Sequence, residues 1–248
     1  MYPIICKIGP FTIYSYGLMI AIAFMLNLYL ASNKAKASGF EPGEIQNLAF
    51  IILIFGIIGA RLLYVGLNFN YYIKNMKEII LLQRGGLSWF GGLFLGSIAA
   101  IIYIRKKRLR PYKTLDLIIP YVALGQAIGR IGCLLNGCCY GRPSPFGIYF
   151  PAHKQVLLPT QIYASLSMLV IFLILRIMHD RPHKEGEIFF IYLILYSTKR
   201  FLIEFFRAEH KIFGFGLTIF QLISLIILLL SLCKLIFIKR SNKINERD

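Results

Sequence analysis

The chain has 248 residues, is 57% hydrophobic, and carries 28 Lys and Arg against 11 Asp and Glu, a net charge of +17. Apolar content this high excludes an ordinary soluble domain, and several runs reach the roughly 18 residues that cross a bilayer. A transmembrane β-barrel is excluded too, because its short spans alternate in polarity and these runs do not.

Seven spans are predicted in chain order: 11–31, 45–67, 87–104, 115–135, 160–179, 187–206 and 216–238. The first is too long for a cleaved signal segment and lacks a basic leader, so it is expected to stay in the membrane. The third opens from "RGGLSWFGGLFLG", Arg84 to Gly96, where four glycines surround a Trp-Phe step. The fourth is interrupted by Gly125, Gly129 and Gly132, and the sixth carries charge. Lys and Arg concentrate in 32–44, in "RKKRLRPYK" at 105–113, in 180–186 and at the C-terminus. The richer side is cytoplasmic by the positive-inside rule, which puts the N-terminus outside and the C-terminus in the cytoplasm. The expectation is an all-α integral membrane protein of about seven helices, forming a single polytopic domain over 1–248. Basic loops facing anionic lipid absorb the net charge, so membrane lipids are expected partners and nucleic acid is not.

Cys6, Cys133, Cys138, Cys139 and Cys233 are too few and too scattered for a disulfide framework. Cys138 and Cys139 read as two small, half-buried neighbours. No His stands at ligand spacing near them, so no metal and no cofactor is expected.

A charged side chain within a span costs about 2.5–3.5 kcal/mol and reads as a functional site. Arg61 lies in "GIIGARLLYVG", Arg130 in "GQAIGRIGCLLNGCCYGR", and Lys199, Arg200, Glu204 and Arg207 in "YSTKRFLIEFFR". Tyr196, Arg200 and Glu204 are spaced by four and share a helix face; Arg207 is expected one turn further along it. Arg200–Glu204 alone reads equally as a structural ion pair that lets the span insert. In the interior of the seven spans Glu204 is the only acid, with Asp116 and Glu187 at span edges, so Arg61, Arg130 and Arg200 exceed their counter-charge. A lipid phosphate is the anion a membrane offers, and guanidinium groups bind phosphate oxygens in bidentate fashion. The arginines fall toward the outer ends of their spans, so the head-group site is expected to open outward. The glycines nearby, Gly59, Gly85, Gly86, Gly91, Gly92, Gly125, Gly129 and Gly132, read either as close helix packing or as irregular backbone lining a cavity.

At this point the sequence resembles the prolipoprotein diacylglyceryl transferase family. The strongest block is "GRIGCLLNGCCYGR"; "YGLM" at Tyr16–Met19, "GARLLYV" at Gly59–Val65, "PTQIY" at Pro159–Tyr163 and "RFLIEFFR" at Arg200–Arg207 match in order. The resemblance implies transfer of the diacylglyceryl group of phosphatidylglycerol to the lipobox cysteine thiol of a preprolipoprotein signal peptide, in the bacterial cytoplasmic (inner) membrane with the active site toward the outer leaflet. It implies catalytic roles for Arg130, Arg200 and Glu204, and substrate binding by Tyr16, Arg61, Asn136, Gly141, Tyr196 and Arg207. Glu204 reads as an orienter of Arg200 rather than a base, since the arginine would hold it ionised. The nucleophile belongs to the substrate, and its thiol, with a pKa of about 8.5, must lose a proton.

The chain departs from the family at a few positions. Phe90 stands where the best-studied members carry a His proposed as the base or as a substrate-positioning group. Cys138 stands where some members have Glu, Cys133 where some have Asn, and Leu158 replaces a His. His153 and His210 lie in outer loops that could reach an outward site. Two further readings stand beside the first: a paralogue of the same fold with another acceptor or lipid, and a non-catalytic lipid-binding or transport protein. A transporter should show repeats with paired broken helices, and the glycine-rich third and fourth spans have no counterpart in the second half.

Overall fold

The structure is a computed structural model that describes residues 1–9, 11–81, 85–208, 212–214 and 216–245. Arg84 and His210 lie outside the described residues. The described chain is predominantly helical, with three small antiparallel hairpins. β1 (Ile4–Ile8) and β2 (Phe11–Tyr14) precede α1 (Ser15–Ala37). α2 (Pro42–Leu67), α3 (Phe69–Lys74), a 3-10 turn (Met76–Ile79) and α4 (Trp89–Lys106) follow. The second half holds α5 (Pro111–Asn136), β3 (Pro143–Phe150), β4 (Gln155–Leu157), α6 (Thr160–His179), α7 (Glu187–Glu204), β5 (Ile212–Gly214), β6 (Leu217–Thr218) and α8 (Ile219–Asn245).

Six helices, α1, α2, α4, α5, α6 and α8, are long and apolar enough to cross a bilayer. α7 has 18 residues but carries Glu187, Lys199, Arg200 and Glu204, which depress its hydropathy. The predicted sixth span is therefore present as a helix whose charge separates it from the other six. Large apolar side chains such as Leu62, Phe94, Leu173 and Leu230 are exposed along the helices, as lipid-facing surfaces require.

The fold divides into two compact units, residues 1–31 with 115–248, and residues 32–114. In the larger unit α5 is the central helix: 56% of its span is buried, against 17–28% for the other five spans. Ile119, Ala123 and Ala127 of α5 pack with Met168, Ile171 and Leu175 of α6 and with Ile188 and Tyr192 of α7. Asp116 of α5 caps the start of α7, accepting the Gly186 N–H at 2.5 Å and the Phe189 N–H at 2.8 Å. The glycines of α5 receive α1. A β-carbon at Gly125 would meet Asn27 at 2.5 Å, one at Gly129 would meet Ile20 at 3.4 Å, and one at Gly132 would meet Met19 and Tyr16 at 3.1 and 3.2 Å. These are packing glycines, one per turn, and they set Tyr16 on the C-terminal end of α5.

The smaller unit is built on the antiparallel pair α2 and α4. A β-carbon at Gly59 would strike the Gly91 carbonyl, and one at Gly91 would strike that of Gly59. Gly92 meets Gly56 in the same way at 3.0 Å. Of the two readings of the glycine-rich stretch, close packing accounts for Gly59, Gly91 and Gly92. Trp89 and Phe90 are 67% and 60% exposed, in edge-to-face contact at 5.4 Å. Phe90 borders an open, apolar cavity of about 760 Å³ formed with Gly59, Leu62, Leu63, Gly91 and Phe94.

Candidate active site

In the larger unit, Arg130 of α5, Lys199, Arg200 and Ile203 of α7, Arg207 just beyond it, Thr160 and Ala164 of α6, and Cys139 line one cavity. Its free volume is about 10 Å³, barely room for one water, so a head group entering it must displace the flexible cationic side chains. Four cations around one small cavity form an electrostatic well for an anion.

Among the described residues one carboxylate is paired with this group, behind the cavity wall. Glu204 is 4% exposed and its Oε2 lies 3.1 Å from Arg200 Nη2. Thr218 donates its hydroxyl to Glu204 Oε1 at 3.1 Å, and the Arg200 guanidinium also lies 4.8 Å over the Phe220 ring. The expected i, i+4 pair therefore forms, held from its far side by β6 and α8. Glu204 is not on the cavity wall, which suits an orienter.

Arg207 arrives by a different route from the one its spacing suggests. α7 ends at Glu204, and the chain turns so that Arg207 bridges Gly141 in a short antiparallel contact. Arg142 donates its N–H to the Phe206 carbonyl at 2.9 Å, and Gly141 donates its own to Leu158 at 2.8 Å. A β-carbon at Gly141 would lie 2.5 Å from the Phe206 carbonyl oxygen and 2.8 Å from both Leu158 and Thr160. Gly141 thus acts through backbone packing, closing three segments around the cavity.

Tyr196 is also one step removed. It stacks on Tyr192 with ring centroids 5.7 Å apart, and Lys199 Nζ sits 4.4 Å over its ring. Tyr192 in turn accepts from Gln126 Nε2 at 2.8 Å. Lys199 is 9% exposed. The sequence marked it by its charge within a span but assigned it no role. Tyr16 lies within electrostatic reach of Arg130 and of the three nearby thiols.

Those thiols are the second residue group that sequence spacing did not bring together. α5 ends at Asn136, Gly137 takes φ +74°, and Cys139 takes φ +63°, the left-handed region. Cys138 N–H returns to the Cys133 carbonyl at 3.1 Å. The reversal folds the turn onto the helix end, and the Sγ atoms of Cys133, Cys138 and Cys139 all lie within 4.8 Å of one another. The three are free thiols and could hold a metal ion. The Asn136 side chain hydrogen-bonds the Cys138 thiol. Hydrogen bonds from Cys133 and Cys138, with Arg130 and Arg207 nearby, hold the Cys139 thiol below the usual thiol range.

His153 lies beside this turn, its Nε2 3.2 Å from the Gly137 carbonyl and its ring 4.1 Å from Tyr140. Leu158, in place of the His, is buried.

Arg61 belongs to the smaller unit and is 7% exposed. Among the described residues its guanidinium donates to backbone carbonyls: Nε to Ile79 at 2.8 Å, Nη1 to Gly85 and Gly86 at 2.7 and 2.9 Å, and Nη2 to Glu78 and Leu81 at 2.5 and 3.4 Å. Tyr72 covers it, with the ring centroid 5.3 Å away. Gly86 has φ +80°, and a β-carbon there would crowd both Arg61 and Tyr64. The donors that would hold a phosphate are engaged by the carbonyls of residues 78, 79, 81, 85 and 86.

The profile of the family described as prolipoprotein diacylglyceryl transferase matches residues 3–237. The chain is 35% identical to the phosphatidylglycerol–prolipoprotein diacylglyceryl transferase of Clostridium tetani (strain Massachusetts / E88), over 85% of this chain and 87% of that protein. It is 34% identical to the proteins of that name from Streptococcus pyogenes serotype M5 (strain Manfredo) and Streptococcus uberis (strain ATCC BAA-854 / 0140J), over 98% of this chain and 97% of each. Three of the matched blocks, those holding Arg130, Thr160 and Arg200–Arg207, line the one cationic cavity, and the match over residues 3–237 shows that the chain belongs to the prolipoprotein diacylglyceryl transferase family.

Proposed function

We propose that the chain transfers the diacylglyceryl group of phosphatidylglycerol to the lipobox cysteine thiol of a preprolipoprotein, leaving a thioether and releasing glycerol phosphate. The observation that carries this reading is the convergence of Arg130, Lys199, Arg200 and Arg207 on one cavity, with Glu204 the single carboxylate paired with them among the described residues. A phosphodiester head group supplies the missing negative charge. The substrate thiolate attacks the glyceryl carbon, the carbon–oxygen bond to phosphate breaks, and the electron pair leaves on the phosphate oxygen. Charge grows on that oxygen in the transition state, where preorganised cations count most. Glu204 and Thr218 hold Arg200 in place before the lipid arrives. Tyr196 supports Lys199, Gly141 and Asn136 shape the wall, and Tyr16 flanks the entrance from α1.

In this reading the whole chain acts as one polytopic domain in the bacterial inner membrane, N-terminus outside, with the cavity toward the outer leaflet where secreted precursors emerge. Arg61 contributes indirectly, by holding the backbone of residues 78–81 and 85–86. The test is thioether formation on a lipobox peptide with phosphatidylglycerol in detergent. Arg130→Ala and Arg200→Ala should each abolish it while the protein remains folded; full activity in both variants overturns the phosphate clamp.

A further inference from the structure

We propose that Cys133, Cys138 and Cys139 hold one Zn²⁺ ion whose fourth position receives the substrate thiol as a thiolate. This deepens the transfer reading and rests on it.

The donor set is built by the fold. Cys133 is on the last turn of α5, and the left-handed residues Gly137 and Cys139 turn the chain back onto it. A residue with a side chain in that region is uncommon and is kept where surrounding structure demands it. The demand comes from α6: Thr160 donates its hydroxyl to the Cys139 carbonyl at 2.8 Å, and Gln161 donates Nε2 to the Cys138 carbonyl at 2.7 Å. Thr160 and Gln161 are 3% and 1% exposed. The three Sγ atoms lie within 4.8 Å of one another; tetrahedral zinc, at about 2.3 Å from each sulfur, asks for about 3.8 Å between sulfurs. A small contraction closes the site. Three sulfur ligands suit a thiophilic divalent ion, and three protein ligands with an open position are the pattern of a catalytic rather than a structural zinc.

The charge balance also fits. Three thiolates and Zn²⁺ carry a net charge of −1, beside the cations that share the cavity with Cys139. The lipid phosphate and the zinc site then occupy adjoining parts of one cavity, which places nucleophile and leaving group together.

The chemistry fills a gap in this chain. Among the described residues the cavity lining offers cations, a hydroxyl and a thiol, and no carboxylate or imidazole to take the substrate's proton. A thiol coordinated to zinc is deprotonated outright. The lipobox thiol binds at the open position and its proton passes to water. Its sulfur then forms the bond to the glyceryl carbon as the carbon–oxygen bond to phosphate breaks. The thioether product is a poor zinc ligand and departs with glycerol phosphate, and water refills the position. No oxidant or reductant is needed.

The full chain, purified anaerobically in detergent, should contain close to one zinc per molecule. Replacement of zinc by Co²⁺ should give thiolate-to-cobalt charge-transfer absorption. Adding a lipobox peptide should change that spectrum, and a Cys→Ser peptide should not. Chelation should slow transfer by about 10²-fold or more, the scale of a lost general base, and added Zn²⁺ should restore it. A chain that carries no stoichiometric metal and shows no cobalt–sulfur absorption overturns the site, as does a disulfide among the three cysteines in the purified protein. A C133S/C138S/C139S variant that still transfers at full rate overturns it too, while leaving the transfer reading intact. A cobalt spectrum that responds to the peptide in a protein that transfers nothing overturns the zinc's part in catalysis together with the transfer reading.

Discussion

Arg200 and Glu204 meet at 3.1 Å one turn apart on α7, yet only Arg200 reaches the cavity wall. The carboxylate is sealed behind it by Thr218, so the pair has an inner and an outer member. The outer charge is turned toward a space it shares with Arg130, Lys199 and Arg207. A pair that served insertion alone would have no reason to be held next to three further cations.

Breaking that pair from its buried end should therefore cost more than loss of a surface ion pair. Glu204→Ala removes the partner of a semi-buried guanidinium and should destabilise the protein by about 3–5 kcal/mol. Thermal unfolding in detergent measures this. Glu204→Gln retains an acceptor for Thr218 and should lose less.

Gly141→Ala tests the wall. Its new methyl group would press on the Phe206 carbonyl, Leu158 and Thr160 together, and overpacking of that kind costs about 1–3 kcal/mol. The melting temperature should fall, and a β-carbon at Gly91 should act in the same way through Gly59. An unchanged melting temperature in both variants contradicts the close packing described.

Arg61→Lys should separate ordering from phosphate binding. An ammonium has three donors on one atom and cannot span the five carbonyls that the guanidinium reaches. Hydrogen exchange should rise across 78–81 and 85–86, with the KM for phosphatidylglycerol nearly unchanged. A large rise in KM without faster exchange assigns Arg61 to the lipid instead.

Phe90→His asks whether the missing imidazole limits the rate. With the thiol activated at zinc, an exposed His at this position should add far less than the about 10²–10⁴-fold of a general base. Initial rates of thioether formation decide it.

Much of this was legible in the residues. Hydropathy located the six long apolar helices because lipid demands such runs, and charge within spans pointed to Arg130, Arg200 and Glu204. Period-four spacing found the Arg200–Glu204 pair, since both sit on one continuous helix. It failed for Arg207, because α7 stops at Glu204 and a turn, not a helix face, carries the side chain back to the cavity. It also missed the thiols: Cys133 and Cys139 are six residues apart, and only the left-handed turn at Gly137 and Cys139 brings them together. Arg61 carried the same in-span signal as Arg130, but hydropathy cannot tell a charge aimed at a ligand from one saturated by backbone carbonyls. The glycines were legible as small residues, and their partners only as a fold.

The central claim is tested most directly by incubating the purified chain with phosphatidylglycerol and a lipobox peptide and weighing the peptide by mass spectrometry. The account predicts the mass of a diacylglyceryl thioether on the cysteine, glycerol phosphate released in equal amount, and loss of both with Arg130→Ala or Arg200→Ala. An unmodified peptide with the folded wild-type chain, or undiminished thioether with both arginine variants, would contradict it.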